Sequence, residues 1–312
     1  MKKKSKLRIK SMPRFITFSL MSLAVLFIIG MASVTLVTNI ASALNNQKEK
    51  SQASSLLVDT STDETTSVQD IQTKEDAEVT SDTNTDEAQQ TGTDDPLESI
   101  KIRLRNNDTE GLKVVFLTFD DGPSEHTGEV LDILNTYNVK ATFFTIRHEG
   151  AEAEASYRRI VNEGHTLANH TSSHDYDLYS NSEAFYADVN SLDQYQRQIT
   201  GLTETSHIFR FPGGSINANE TCVLGLIKRG WNYADWNVSS GDGGSDPPTS
   251  DIVEQTIICG CHEHEVSVVL CHAESKPNTR AALSTVIETL KAEGYTFLAM
   301  ENDFTYPRQL EV

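Results

Sequence analysis

Beyond Gly111 the chain alternates between short apolar runs and longer amphipathic segments. The runs are rich in β-branched and aromatic residues, and the segments between them repeat their apolar residues at helical spacing. Continuous apolar strands separated by helices are typical of a parallel sheet covered on both faces. The predicted strands are Val114–Phe119, Ala141–Ile146, Thr166–Ala168, His207–Phe211, Asn232–Trp236, Val266–Leu270 and Thr296–Ala299. The predicted helices are Glu125–Tyr137, Glu154–Glu163, Ser182–Ile199, Glu220–Arg229, Asp251–Ile258 and Asn278–Glu293.

About seven such units in roughly two hundred residues favour an α/β fold, a closed or nearly closed β/α barrel of about seven parallel strands. An open doubly wound sheet is the main alternative. A Gly-rich phosphate-binding turn does not follow the first strand, which argues against a nucleotide ligand. In either architecture the functional residues are expected at the carboxyl ends of the strands.

The first hundred residues follow a different pattern. Residues 1–14 carry seven Lys or Arg and no acid, and residues 15–37 carry no charge. These 23 apolar residues suffice to cross a bilayer, which takes roughly 20. The basic flank favours a cytoplasmic N-terminus. We therefore expect a single-pass anchor in the cell membrane, with the rest of the chain outside the cell. Cleavage near Ala43, which would give a secreted form, is the alternative.

Residues 38–99 are expected to form a disordered acidic linker. Between Asn45 and Ser99 there are 14 Asp or Glu against 3 Lys, with no aromatic residue, so little apolar surface is available to bury. The remaining residues, 100–312, are expected to form one folded domain and carry 31 acids against 16 bases. This charge argues against nucleic acid and against anionic polymers as partners, and favours a neutral substrate.

Polar residues gather where the predicted strands end. Asp120 and Asp121 directly follow the first apolar run, and "HTSSH" places His170 and His174 four residues apart. On one helical turn the two histidines would share a face and could bind a metal. Arg210, Asp235 and His272 follow the later strands.

The motifs "TFDDGP", "HTSSH", "RFPGG", "DW" and "LCH" occur in this order. With them the chain resembles, from about Lys113 to Ala299, the polysaccharide deacetylases related to the nodulation chitooligosaccharide deacetylases. The resemblance implies a distorted (β/α) barrel that hydrolyses N-acetyl groups with a divalent metal. Zinc is the implied metal, with Co²⁺, Ni²⁺ or Mn²⁺ as alternatives, and the implied ligands are Asp121, His170 and His174.

The resemblance also implies catalytic roles. Asp120 would be the general base, held by Arg210. His272 would be the general acid that protonates the leaving amine, oriented by Asp235. The Gly213 N–H would stabilise the oxyanion of the tetrahedral intermediate, and Trp236 would line the pocket around the acetyl methyl group.

Two positions depart from the family pattern, and one acid stays outside the catalytic set. The arginine motif of the family usually has an aromatic residue after the proline, where this chain has Gly213. The usual His-Asp pair of the last motif is His272-Ala273. Asp242 is expected to be a supporting or loop residue.

The four cysteines leave three interpretations open. An even number outside the cell permits disulfides, but free thiols or a second metal site in "CGCHEHE" are also compatible with the sequence. Cys271 precedes His272 on a strand, so we expect its side chain to point to the opposite face. The cysteines are Cys222, Cys259, Cys261 and Cys271.

The expected substrate is a surface polysaccharide, with the N-acetylglucosamine of peptidoglycan first. Deacetylation would add positive charge to the wall and is expected to confer resistance to lysozyme. N-acetylmuramic acid, chitooligosaccharide, exopolysaccharide and O-acetyl xylan are alternatives, as is a wall-glycan-binding protein with a silent site.

Overall fold

The computed structural model describes residues 95–312. The predicted basic segment 1–14, the predicted membrane span 15–37 and the predicted linker up to residue 94 lie outside the described residues. From residue 95 onward, none of the helices combines the length and the apolar character that a bilayer crossing needs.

Within residues 95–312, eight parallel strands form one sheet, and each of the seven predicted strands is among them. The sheet order is β5-β4-β3-β2-β1-β7-β6, and β8 pairs with β1. The strands are β1 Val114–Asp120, β2 Thr142–Thr145, β3 Thr166–Asn169, β4 Ile208–Phe209, β5 Asn232–Tyr233, β6 Val238–Ser239, β7 Val266–Cys271 and β8 Thr296–Phe297. The prediction of a parallel α/β sheet is confirmed, and β6 is an additional strand that the sequence pattern did not indicate.

The sheet is curled into an incomplete barrel, where a closed or nearly closed barrel was expected. Strands β5 and β6 lie at the two ends of the sheet order, yet only residues 234–237 connect them. An extended connection of this length spans at most roughly 18 Å, so the two edges must approach each other. Within residues 95–312 no ladder joins β5 to β6, so the strands form a curled half-barrel.

Seven α-helices and two short 3₁₀ helices cover the described sheet. All six predicted helices are present, with ends shifted by a few residues. For example, the helix Ser182–Thr200 begins after Asn181, whose side chain accepts from the Ala184 N–H, and is followed by Gly201, which has a left-handed φ of 78°. The helices are α1 Pro96–Arg105, α2 Thr127–Thr136, α3 Ala151–Asn162, α4 Ser182–Thr200, α5 Glu220–Lys228, α6 Ser250–His262 and α7 Pro277–Ala292. The 3₁₀ helices are Tyr176–Ser180 and Ser215–Asn217.

Helix α1 was not predicted and corrects the start of the folded domain. It begins at Pro96 after the capping residue Asp95, inside the expected linker, so the folded region starts before residue 100. Leu104 is buried in a cluster with residues of β1 and of the segment that follows β8. The helix has an acidic first turn and basic last turn, which suits its dipole.

Strand β1 separates two apolar clusters and sets the direction of Asp120. Alternate residues from Val115 to Phe119 pack against the helices outside the curl. Val114 and Phe116 pack inside it. Full burial of such side chains contributes about 2 kcal/mol each. Because strand side chains alternate, Asp120 belongs to the inner series and points into the curl.

All four cysteines are free thiols, so the disulfide interpretation is wrong for this structure. Cys271 lies in the outer cluster, as expected from its place before His272. In the described part of the chain the cysteines form no metal-binding group with other side chains.

Candidate active site and metal centre

The polar residues predicted at the strand ends meet at one end of the curled sheet. Asp120 ends β1, His170 follows β3 and His272 follows β7. His170 Nε2 lies 3.7 Å from Asp120 Oδ2, and His272 Nε2 lies 3.9 Å from Asp121 Oδ2. The parallel order of the strands thus assembles residues that are far apart in the sequence.

Asp121, His170 and His174 form a candidate metal centre. Their ligand atoms lie within 4.8 Å of one another. Asp121 Oδ1 is 3.6 Å from His170 Nε2 and 3.3 Å from His174 Nε2. Zinc bonds of roughly 2.0–2.1 Å place tetrahedral ligands roughly 3.3 Å apart, so the spacing fits a divalent metal.

The hydrogen bonding and charge of His170 fit a cation in this centre. His170 Nδ1 donates to the Arg210 carbonyl oxygen at 2.7 Å, which leaves the Nε2 lone pair facing the centre. Burial lowers the pKa of His170, so the ring is neutral. Asp121 Oδ1 is buried and has no hydrogen-bond partner in the described part of the chain. Bare acceptors that face each other at this distance repel unless a cation lies between them.

The histidines are held by a loop rather than by the helical turn that the sequence suggested. Thr171 and His174 have left-handed φ values of 68° and 55°, and the Thr171 hydroxyl accepts from the His174 N–H at 2.9 Å. Asp121 is also left-handed, with a φ of 74°. Such residues cost on the order of 1–3 kcal/mol each and concentrate at functional sites.

Arg210 is fully buried and holds Asp120 from inside the curl. Its Nη1 donates to Asp120 Oδ1 at 2.8 Å and to Thr118 Oγ1 at 2.7 Å. Its Nε donates to the Ala234 carbonyl oxygen at 3.0 Å, and its Nη2 donates to the Asp235 carbonyl oxygen at 3.0 Å. The predicted pairing of Arg210 with Asp120 is therefore present in the structure.

The environment of Asp120 suits a base. Burial raises the pKa of Asp120, and this outweighs the lowering by Arg210 and His272. A carboxylate with a raised pKa binds a proton more readily than a solvated aspartate does. The Arg210 guanidinium keeps the ionised form available, because it supplies a charged hydrogen bond.

Asp242, and not Asp235, orients His272. His272 Nδ1 donates to Asp242 Oδ1 at 2.7 Å, and the His272 N–H donates to Oδ2 at 2.8 Å. Thr279 Oγ1 also donates to Asp242 Oδ2, at 2.8 Å. Burial lowers the pKa of His272, but the Asp242 hydrogen bond and the charge of Asp120 raise it more, so the net shift is upward.

The predicted role of Asp235 is wrong because its carboxylate points to another segment. It accepts hydrogen bonds from the Ser215 N–H at 2.8 Å and the Gln309 N–H at 2.7 Å. Asp235 thus fastens the loop after β4 to the C-terminal segment. The sequence signal for Asp242 was the polar run "SSGD", which begins at the last residue of the short strand β6, beside the strand that precedes His272.

Gly213 and Trp236, the predicted substrate-binding residues, lie on the segments that follow β4 and β5. Gly213 is an exposed residue, and its N–H has no protein acceptor among residues 95–312. Trp236 is half-buried, 5.8 Å from the Arg210 guanidinium carbon. A side chain at Gly214 would come within 3.2 Å of Trp236 Cη2, so the ring packs against this glycine.

Glu274 is a buried residue of the site that the sequence did not indicate. Its carboxylate accepts from the Ser124 N–H at 3.1 Å and from the Thr127 hydroxyl. Burial raises its pKa to about 7. A Cβ at Gly122 would lie 2.1 Å from the Glu274 carboxylate oxygens. Glycine at 122 therefore lets Glu274 bind the loop that follows the two aspartates.

Comparisons with known proteins agree with this geometry. A family model described as polysaccharide deacetylase matches residues 107–225. The chain is 30% identical to a peptidoglycan-N-acetylglucosamine deacetylase of Bacillus cereus, over 62% of this chain and 72% of that protein. It is 31% identical to a putative polysaccharide deacetylase of Bacillus subtilis, over 67% of this chain and 78% of that protein.

A solved structure with a similar fold was also found. The catalytic domain of peptidoglycan N-acetylglucosamine deacetylase from Eubacterium rectale is 36% identical and superposes with a TM-score of 0.59. The match covers 65% of this chain and 96% of that domain.

Proposed function

This chain belongs to the polysaccharide deacetylase family, and from that membership we propose that it removes N-acetyl groups from the N-acetylglucosamine residues of peptidoglycan. The observation that carries the proposal is the cluster of Asp121, His170 and His174 beside Asp120 and His272. These residues combine a candidate metal centre with a buried base and a histidine of raised pKa. The names of the relatives from Bacillus cereus and Eubacterium rectale support peptidoglycan as the substrate.

The proposed metal is zinc, held by Asp121, His170 and His174. Two imidazoles and one carboxylate are a donor set that catalytic zinc sites use, and they leave further coordination positions open. When bound, a divalent metal supplies Lewis-acid chemistry, because it polarises a carbonyl oxygen and lowers the pKa of water. Co²⁺, Ni²⁺ or Mn²⁺ would be accepted by the same ligands.

The proposed division of labour follows the contacts. Asp120 takes the proton of the attacking water, and Arg210 keeps this carboxylate in place. His272, whose protonated form is favoured by the hydrogen bond to Asp242, gives a proton to the leaving amine. The Gly213 N–H donates to the oxyanion that forms at the carbonyl oxygen. Trp236 forms part of the wall around the acetyl methyl group.

We place the enzyme at the outer face of the cell membrane. The apolar residues 15–37 would be the anchor and the acidic residues 38–94 the tether. A substrate that is itself fixed in the wall suits a tethered enzyme. Protease treatment of intact cells is expected to remove the folded domain, whereas a soluble protein in the medium would mean cleavage near Ala43.

Acetate release by the purified full-length chain tests the proposal. Zinc-loaded protein is expected to release acetate from peptidoglycan and from N-acetylglucosamine oligomers, and chelation should abolish this release. Asp120→Asn should lose at least about 10²-fold in kcat, while Asp251→Asn, an exposed acid at the start of α6, should keep wild-type activity.

The same assay decides among the alternatives. Release from chitooligosaccharide, exopolysaccharide or O-acetyl xylan, without release from peptidoglycan, would reassign the substrate. No release from any acetylated glycan by folded, zinc-loaded protein would favour a wall-glycan-binding protein. A deletion strain with unchanged lysozyme sensitivity would contradict the expected effect on the wall.

A further inference from the structure

Gly213 lies where the family usually has an aromatic side chain, and another aromatic residue occupies that space. A Cβ at Gly213 would lie 2.6 Å from the hydroxyl oxygen of Tyr176 and 2.9 Å from its Cε1. Gly213 itself has a left-handed φ of 72°, which disfavours any side chain there. The ring of Tyr176 therefore reaches the space from the histidine loop.

Tyr176 sits beside the metal centre with much of its surface free. Its ring centroid is 5.6 Å from that of the proposed ligand His174, at an interplanar angle of 78°. It is 6.1 Å from Tyr179, at 80°. Even so, Tyr176 is 49% exposed, the most exposed aromatic residue among residues 95–312. A large aromatic surface left open next to a catalytic centre is typical of a ligand-binding wall.

The ring is held in position before any ligand binds. Tyr176 opens the 3₁₀ helix Tyr176–Ser180, which Asp175 caps by accepting from the Asp177 N–H at 2.9 Å. Tyr179 of the same helix donates from its hydroxyl to the Pro212 carbonyl oxygen at 3.0 Å. The helix and the loop that carries Gly213 are thus joined, which lowers the entropy cost of using Tyr176 as a rigid contact.

We propose that Tyr176 is the aromatic platform for the pyranose ring that carries the acetyl group, in place of the side chain missing at Gly213. An amphipathic ring suits this task, since the C–H faces of an N-acetylhexosamine are apolar and its edges are polar. The inference rests on the proposed deacetylase function and makes Tyr176 a specificity-determining residue. The rival explanation is that Tyr176 only buttresses His174.

The test compares Tyr176→Ala and Tyr176→Phe in the zinc-loaded full-length chain, with the N-acetylglucosamine tetramer as substrate. We expect Tyr176→Ala to lower kcat/KM about tenfold, mainly through KM, and Tyr176→Phe to stay within about twofold, because the aromatic face is kept. Ile102→Ala is the matched control, since Ile102 is 50% exposed on α1. Zinc affinity, measured in parallel, should be unchanged in all variants.

A weaker zinc affinity in Tyr176→Ala, with normal kcat/KM at saturating zinc, would overturn the proposal in favour of the buttress. Equal losses in Tyr176→Ala and Tyr176→Phe would also overturn the proposal, because they would assign the effect to the hydroxyl and not to the aromatic face. Calorimetry of tetramer binding to protein that a chelator has freed of metal gives a readout that needs no catalysis. Weaker binding by Tyr176→Ala supports the platform even if the wild type released no acetate, and unchanged binding there contradicts it.

Discussion

At the scale of single residues, two nearby aspartates show that burial alone does not define a catalytic role. Asp235 and Asp242 are both buried, but each is fixed by different donors. Asp242 accepts from the ring and the N–H of His272, whereas Asp235 accepts from the main chain of Ser215 and Gln309. The hydrogen-bond donors around a buried carboxylate therefore decide whether it raises the pKa of a neighbouring histidine or links two segments of the fold.

Asp242→Asn is expected to move the basic limb of the pH profile to lower pH. The hydrogen bond to Asp242 raises the pKa of His272, so removing the charge lowers this pKa. A general acid must be protonated, and a lower pKa therefore ends its activity at lower pH. We expect kcat to fall about 10²-fold, measured as acetate release across pH 5–10.

Asp235→Asn is the matched control for that prediction. It should leave the basic limb unchanged, because Asp235 does not contact His272, and should instead lower the urea midpoint of unfolding. A shifted limb in Asp235→Asn with an unshifted limb in Asp242→Asn would reverse the assignment made from the structure.

Arg210→Met is expected to destabilise the protein strongly. The change leaves the buried Asp120 carboxylate without its charged partner, and breaking a buried pair in this way costs about 3–5 kcal/mol. The pKa of Asp120 should also rise, so the acid limb of the activity profile should move to higher pH. Urea unfolding and the pH profile measure the two effects.

Arg158→Met provides the comparison on the surface. Arg158 pairs with Glu154 one helical turn away and is 47% exposed at its side chain. Exposed pairs contribute little, so the variant should unfold close to the wild type. Similar losses for both arginines would mean that Asp120 is already protonated and does not need Arg210.

At the scale of elements, periodicity predicted the long helices and the core strands because their burial pattern is local. The short strand β6 has only two residues, Val238–Ser239, which are too few to show an alternation of apolar and polar positions. Its pairing with β7 places the following Asp242 beside His272, and that contact depends on the curl of the whole sheet. The "DW" motif pointed to Asp235 because the sequence alone does not show which of the two aspartates the curled sheet places beside His272.

Local geometry also limited what the sequence could indicate about the site. The candidate metal ligands His170 and His174 could be named from their motif, but their loop depends on left-handed residues that spacing does not reveal. Glu274 and Tyr176 reach the site from elements whose sequences carry no recognisable signal. Their places follow from the packing of neighbouring loops, at Gly122 and Gly213.

Gly122→Ala is expected to separate the loops after β1 and β7. Its Cβ would lie 2.1 Å from the Glu274 carboxylate, so the loop or the acid must move, at a cost of about 1–3 kcal/mol. Because Asp121 is adjacent, zinc affinity should fall with stability. Calorimetric zinc binding and thermal unfolding give the two values.

A double-mutant cycle isolates the cause of that loss. Glu274→Ala should reduce the cost of Gly122→Ala, with a coupling of about 0.5–3 kcal/mol. Gly128→Ala in α2 is the control, because its Cβ would meet only Arg159 Nη1 of α3, at an ordinary contact distance of 3.5 Å. Additive losses at Gly122 and Glu274 would exclude the steric explanation.

At the scale of the whole molecule, the charge fits a neutral substrate better than a charged one. The chain has a net charge of −19, and all of its acids belong to the folded region and the linker. Such a surface repels anionic polymers and attracts cations. Deacetylation turns a neutral amide into a cationic amine, so the reaction increases the attraction between the polymer and the enzyme.

The two ends of the half-barrel are expected to divide stability from activity, as parallel barrels do. Leu104 of α1 is buried at 4% exposure and packs against the inner cluster, on an element that contributes nothing to the metal centre. Leu104→Ala should cost about 2–4 kcal/mol in urea unfolding. Its kcat/KM should equal that of the wild type under conditions where both are folded.

Arg105→Ala on the same helix tests whether packing or charge holds α1 in place. Arg105 binds Glu98, Glu301 and Asp303 at 2.7–2.9 Å, but the network is exposed, so its loss should be clearly smaller than that of Leu104→Ala. A larger effect of Arg105→Ala would mean that the ion pairs fasten the helix. A fall in kcat/KM for either variant, with full folding verified by circular dichroism, would show that α1 is coupled to the opposite end of the sheet.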